Sequence, residues 1–200
     1  MPDFLIATNN AHKVEEFKRI LLPLGINVKS AKDAGVDLGD IVEDGSTFAE
    51  NAKIKALSAF RLSGMPSVAD DSGLCVDALG GAPGIYSARY GGEDIPQSQR
   101  NALLLSEIKD YADHERSARF VCSICLVFSE DDIITVEGYC EGMIASEPMG
   151  EGGFGYDPLF IYKDGRCFGC ISGDEKDEIS HRGQALRGLR ALLINRKDDV

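Results

Sequence analysis

Residues 119–143 read RFVCSICLVFSEDDIITVEGYCEGM, and this stretch decides the class of fold. Phe120, Cys122, Ile124, Leu126 and Phe128 alternate with Val121, Ser123, Cys125 and Val127, the two-residue period of a strand. A second strand pattern, Ile133 to Met143, follows Glu130-Asp131-Asp132, so the pair reads as an antiparallel hairpin. Toward the N-terminus, Phe4 to Ala7 is a short apolar strand, and Val14, Phe17 and Leu21 then share a helical face until Pro23 and Gly25 stop it. A second strand near Asn27 to Ser30 leads to an acidic loop. Thr47 and Glu50 form a capping box that opens a helix to about Leu62. Ser67 to Leu74 reads as a strand that ends in acid and turns. Pro96 and Ser98 open a helix with Leu104 and Ile108 inward. Beyond the hairpin come a Gly-rich segment, Gly150 to Gly155, and a last helix from Arg182 to Ile194, after which the charged tail Arg196 to Val200 is expected to fray. Helices and strands interleave around an antiparallel middle, which predicts an α/β fold: an elongated mixed β-sheet flanked by helices, in two lobes. No repeat or linker is visible, so residues 1–200 read as a single domain.

Composition bounds the partners. A chain of 200 residues, 44% hydrophobic and 27% charged, is ordinary for a globular protein that needs no disulfide framework. No apolar run approaches the ~20 residues of a membrane span. No basic n-region or cleavage site is visible, which makes the cytoplasm the expected compartment and a membrane partner unexpected. With 33 acidic residues against 21 basic ones the formal charge is −12. A surface this acidic repels a nucleic-acid backbone, and a small anion is accepted only where Lys, Arg or a divalent cation reverses the field. The six Cys read as reduced thiols. Cys122 with Cys125 and Cys167 with Cys170 have zinc-like spacing. Strand alternation nevertheless sends Cys122 and Cys125 to opposite faces, where they cannot share a metal.

Four polar segments stand out as chemical. Thr8 to Lys13 lies between a strand and a helix, where unpaired N–H groups and the helix dipole favour an anion; taken alone it reads first as an Asn-capped helix with a solvated Lys. Glu43 precedes the capped helix that carries Lys53 and Lys55. Asp70-Asp71-Ser72-Gly73 places two adjacent carboxylates at a strand end, an arrangement that a cation such as Mg²⁺ or a hydrogen-bond network would neutralise. GGFGYDP, residues 152–158, offers an aromatic flanked by glycines, which reads either as a stacking platform or as a tight turn with a buried Phe, with Ser180-His181-Arg182 further on.

The stretches ATNNAHKVEEF, EDGSTFAENAKIKA, VADDSGLCVDALGGAPGIYSARY, GEGGFGYDPLF and EKDEISHRGQAL sample nearly the whole chain. Together they resemble the inosine/xanthosine triphosphate pyrophosphatases, which hydrolyse purine nucleoside triphosphates carrying non-standard bases. The resemblance implies a central cleft between the lobes, a homodimer, and Mg²⁺-dependent hydrolysis of ITP, dITP and XTP to the monophosphate and pyrophosphate. It implies that Asp71 is the proton acceptor, with Glu43, Asp70 and Asp71 at the metal. Thr8, Asn9, Asn10, Ala11, His12, Lys13 and Lys55 are implied on the phosphates, and Ser72 beside metal and substrate. Phe154, Gly155, Tyr156, Asp157, Lys176, His181 and Arg182 are implied on the nucleotide, mainly its base. The chain departs from the family pattern at Asn9, Cys170 and Gly173, and Gly173 is expected to loosen its loop. The alternatives are a pyrophosphatase for other modified nucleotides, a nucleotide sensor without catalysis, and a zinc module built on the C-x-x-C pairs.

Overall fold

The computed structural model describes residues 3–198. Six strands form one sheet: β1 (Phe4–Ile6), β2 (Val28–Ser30), β3 (Ser67–Val76), β4 (Ser117–Ser129), β5 (Asp132–Ile144) and β6 (Phe160–Tyr162), in the order β2-β1-β3-β4-β5-β6. β1 runs parallel to both β2 and β3, whereas β5 and β6 are antiparallel. The connection between β4 and β5 is only Glu130-Asp131, too short for anything but a hairpin. The sheet is therefore mixed. The helices are α1 (Ala11–Leu21), α2 (Ala31–Ala34), α3 (Phe48–Ser63), α4 (Gln97–Ile108), α5 (Gly173–Ile179) and α6 (His181–Asp198). Among the described residues no helix is long and apolar enough to cross a membrane.

The chain divides into two compact units. The first takes the N-terminal segment through Asp71, Cys122–Gly138 and everything from His181 onward; the second takes Ser72–Val121 and Tyr139–Ser180. In the first unit the sheet is apolar on both faces. Phe4, Ile6, Val68, Cys122, Ile124 and Leu126 pack with Val14, Phe17 and Leu21 of α1 and with Leu186, Leu189 and Leu193 of α6. On the reverse face Leu5, Ala69, Cys125 and Val127 meet Ala52, Ala56 and Ala59 of α3. Alternation along β4 thus separates Cys122 from Cys125 as the sequence requires. Each fully buried Leu or Phe in these layers contributes about 1.5–3 kcal/mol. The second unit is built around Leu74, Leu104, Ile108, Phe120, Phe160 and Phe168. Its aromatics lie in contact, with ring centroids 4.7 Å apart for Phe120 and Phe160 and 4.9 Å for Phe160 and Phe168.

Three expectations change. β3 does not end at the acids but continues through Asp70, Asp71, Ser72 and Gly73 to Val76. Adjacent strand residues point to opposite faces, so the two carboxylates need not face one another. Gly173 does not open a loose loop; it is the first residue of α5, where Ser172 and Glu175 form a capping box. α6 starts one residue earlier than expected, at His181, and continues to Asp198, past the point where fraying was expected. The last two residues of that tail lie outside the described ones.

Candidate active site

The first unit gathers the titratable groups in two clusters, one on each face of β3. On the face of α1 and α6, the Asp70 carboxylate accepts hydrogen bonds from Arg182 Nε at 3.1 Å and Nη2 at 3.0 Å, and Lys13 Nζ lies 3.0 Å away. Arg182 also pairs with Glu16, and both are buried. Burial alone would push Asp70 up, but Lys13 and Arg182 outweigh it and hold the carboxyl far below the usual range. Burial would likewise lower Arg182, and Asp70 and Glu16 hold it above its ordinary value instead. The Cys122 thiol beside them is pushed up by burial and by Asp70, so it stays protonated.

On the face of α3, Lys55 Nζ lies 2.9 Å from Glu43 Oε2 and 3.1 Å from Asp71 Oδ1. Two carboxylates from a loop and a strand thus converge on one cation-sized position. The Asp71 side chain remains 12% exposed and that of Glu43 31%. Burial raises Asp71 above an ordinary carboxylate, and Lys55 and Lys13 only partly oppose it. Lys55 stays charged because Asp71, Asp70 and Glu43 outweigh its own burial. Asn51 of α3 completes the cluster by donating from Nδ2 to Asp71 Oδ2 at 3.2 Å.

These positions sort the residues expected from the sequence. Asp70 was grouped with Glu43 and Asp71 as a metal ligand. It lies instead on the opposite face of β3 with its side chain fully enclosed, committed to Lys13 and Arg182. The Thr8 to Lys13 segment is a capped helix start: Asn10 accepts from the amides of His12 and Lys13, at 2.9 and 3.4 Å, and Thr8 Oγ1 accepts from Asn10 N. The cap therefore uses two of the N–H groups that were expected to face an anion. Asn9, Ala11 and His12 are exposed around it, and the Lys13 side chain supplies the charge. Lys53, which shares α3 with Lys55, is exposed.

The second unit holds its own cluster. Asp157 Oδ2 accepts from Lys176 Nζ at 2.6 Å and from Phe154 N at 2.7 Å, and the Lys176 ammonium stands 4.4 Å from the Phe154 ring centroid. A Cβ at Gly153 would meet Asp157 Oδ2 at 2.2 Å, and its φ is +70°, so only glycine fits there. Asn101 Nδ2 donates to Gly155 O at 3.2 Å and fixes the far side of the loop. Tyr156 turns inward, and its hydroxyl donates to Ser87 O at 3.0 Å, so this side chain is part of the core. Ser72, half-buried, is the first residue of this unit, whereas His181 and Arg182 belong to the first. Asn51, Glu16 and Asn101 were not singled out in the sequence. Each sits at a helical position whose spacing signals only burial.

The donor set fits a hard divalent cation in part. Glu43 and Asp71 offer carboxylate oxygens around one position, and Mg²⁺ commonly takes one or two carboxylates and completes its shell with water and substrate phosphates. Asp70 is held by Lys13 and Arg182 on the other face of β3.

Known proteins resemble this chain over nearly its whole length. A model of the Ham1 family matches residues 4–192. A Bacillus subtilis protein named dITP/XTP pyrophosphatase is 46% identical over 96% of this chain and 98% of its own length. One from Shigella flexneri with the same name is 45% identical over 98% of this chain and 100% of its own. The solved structure of a HAM1 protein from Coxiella burnetii superposes with a TM-score of 0.88 at 40% identity, covering 98% of this chain and 100% of that one.

Proposed function

The chain belongs to the Ham1 family, and on that premise we propose that it hydrolyses non-standard purine nucleoside triphosphates (ITP, dITP and XTP) to the monophosphate and pyrophosphate. The observation that carries this is the convergence of Glu43, Asp71 and Lys55 on one position that keeps partial exposure through Glu43.

Glu43 and Asp71 would hold Mg²⁺, which when bound neutralises phosphate charge and stabilises the leaving pyrophosphate. Lys55 and Lys13 are lysines of this unit beside the acids; both reach for phosphate oxygens and clamp the transferring group. Asp71 orients the attacking water and takes its proton, a task that suits a carboxylate whose pKa is raised by burial. With the β- and γ-phosphates held, water attacks the α-phosphorus. Asp70 keeps Lys13 and Arg182 in place and stays ionised throughout.

For the base we propose a buried hydrogen-bond donor aimed at the 6-keto oxygen of hypoxanthine or xanthine. Adenine presents a 6-amino donor there, and an unpaired buried donor costs about 1–3 kcal/mol, roughly a 5- to 150-fold preference. We further propose that the protein acts in the cytoplasm as a homodimer. The deciding assay compares ITP, XTP, dITP, GTP and ATP with Mg²⁺ and detects pyrophosphate and orthophosphate separately. Pyrophosphate released from ITP and XTP well ahead of ATP and GTP is the expected outcome. Orthophosphate as the first product, or equal turnover of ATP, would overturn the proposal, as would ¹⁸O from labelled water appearing outside the monophosphate.

A further inference from the structure

Asn51 is 1% exposed on α3, and its amide is used at both ends. Oδ1 accepts from Gly45 N at 2.9 Å, and Nδ2 donates to Asp71 Oδ2 at 3.2 Å. Gly45 lies two residues after Glu43 in the loop that enters α3. The seat on that loop is tight: a Cβ at Gly45 would stand 2.6 Å from Asn51 Oδ1 and 2.8 Å from Glu50 Cβ. The glycine thus lets the loop close onto the amide. Beyond it, Glu50 accepts from the amides of Ser46 at 2.7 Å and Thr47 at 3.2 Å, so the loop is anchored to the first turn of α3 residue by residue.

A planar amide is the one neutral side-chain group of this size that presents an acceptor to a backbone N–H at one end and a donor to a carboxylate at the other. Leucine would fill the space and satisfy neither partner. Aspartate would keep the bond to Gly45 and set a second negative charge against Asp71. The two ends also fix which way round the amide lies, because the reverse orientation would aim a donor at Gly45 N–H and an acceptor at Asp71. Of the two oxygens of Asp71, Oδ2 is held by Asn51 and Oδ1 by Lys55, whose ammonium also holds Glu43.

From this geometry we infer that Asn51 is a positioning residue: it fixes the rotation of the Asp71 carboxylate and locks it to the loop that carries Glu43, so that both acids arrive at the reacting phosphate in register. The inference rests on the function proposed above. A carboxylate that must orient water loses rate steeply when it turns, and a displacement of about 1 Å can cost ~100-fold.

The test uses the full chain with Asn51→Ala and Asn51→Asp, the second because it keeps the Gly45 contact if the first folds poorly. For ITP with Mg²⁺, kcat should fall ~10- to 100-fold in both variants while KM stays within about 3-fold. In an Asp71→Asn background, adding Asn51→Ala should lower kcat by less than about 3-fold, because the residue through which Asn51 acts is already disabled. A readout independent of turnover is hydrogen exchange of the Gly45 amide in protein free of metal and nucleotide. It should be protected in the parent, lose protection in Asn51→Ala and keep it in Asn51→Asp. Parental kcat in Asn51→Asp, or losses that multiply fully in the double variant, would overturn the inference while leaving the proposed activity intact. A parent that does not hydrolyse ITP would overturn both.

Discussion

The two faces of β3 carry neighbouring aspartates of opposite character. Asp70 is enclosed, holds contacts with two cations and is kept ionised far into acid; Asp71 is partly open, faces one cation across from a second acid, and is raised by burial. The difference comes from what packs on each side. α1 and α6 bring Lys13 and Arg182 to the first face, and α3 brings Lys55, Asn51 and the Glu43 loop to the second. A charge that is fully answered is a structural element. A charge that is answered in part retains the reactivity to take a proton.

The sharpest way to break this contrast is Asp70→Asn. It removes the charge that Arg182 and Lys13 surround, and disrupting a buried pair in this way costs about 3–5 kcal/mol. For a chain of this length that lowers Tm by about 10 °C. Thermal melts at neutral pH check it, and a variant that melts with the parent would mean the enclosed pairing does not stabilise the fold. Acid sharpens the same point. The folded pKa of Asp70 lies far below the unfolded 3.8, so its contribution is fully present above about 4 and is lost as pH falls toward the folded value. The Tm gap between parent and Asp70→Asn should therefore narrow steadily below pH ~4.

Asp71→Asn should do the reverse. Turnover is expected to fall ~100-fold or more while nucleotide still binds. Stability should hold or rise at pH 7, because a carboxylate whose folded pKa is raised disfavours the fold when ionised. That gain should fade as pH falls through the folded value toward 3.8. The two single variants thus predict opposite pH slopes, and matching slopes would end the distinction between the faces.

Much of the frame was legible beforehand, because period-two and period-3.6 patterns are local. The β4–β5 hairpin, α1 with its Val14, Phe17 and Leu21 face, and the Thr47 capping box of α3 all follow from neighbours within four residues. What escaped was set by contacts distant in sequence. Asp70 and Asp71 look like a strand terminus only while their partners are unknown. Arg182, 112 positions away, turns Asp70 into a buried strand residue, and so β3 can continue. Asn51 reads as one more polar position in an Ala-rich helix until Gly45 and Asp71 close on it. The capping box at Ser172 and Glu175 was visible in local spacing, and the Gly between them obscured it.

The smallest effect tests the α3 face alone. Lys53 and Lys55 are two residues apart, and in the sequence either is eligible to serve the Glu43 loop. A helix turns through about 200° over two residues, so only one of them can face β3. That one is Lys55, which lies within 3.1 Å of both acids, whereas Lys53 is exposed. Lys53→Ala should leave kcat/KM for ITP within about 2-fold and stability within about 0.5 kcal/mol, the usual range for a surface change. Lys55→Ala should weaken every triphosphate alike, since all present the same phosphates, and it leaves Glu43 and Asp71 without the ammonium between them. Steady-state kinetics on ITP and ATP for the two variants decide it. If Lys53→Ala proved the more damaging, the phosphate clamp would belong to the outer face of α3, and the partly answered charge at Asp71 would lose its assigned role.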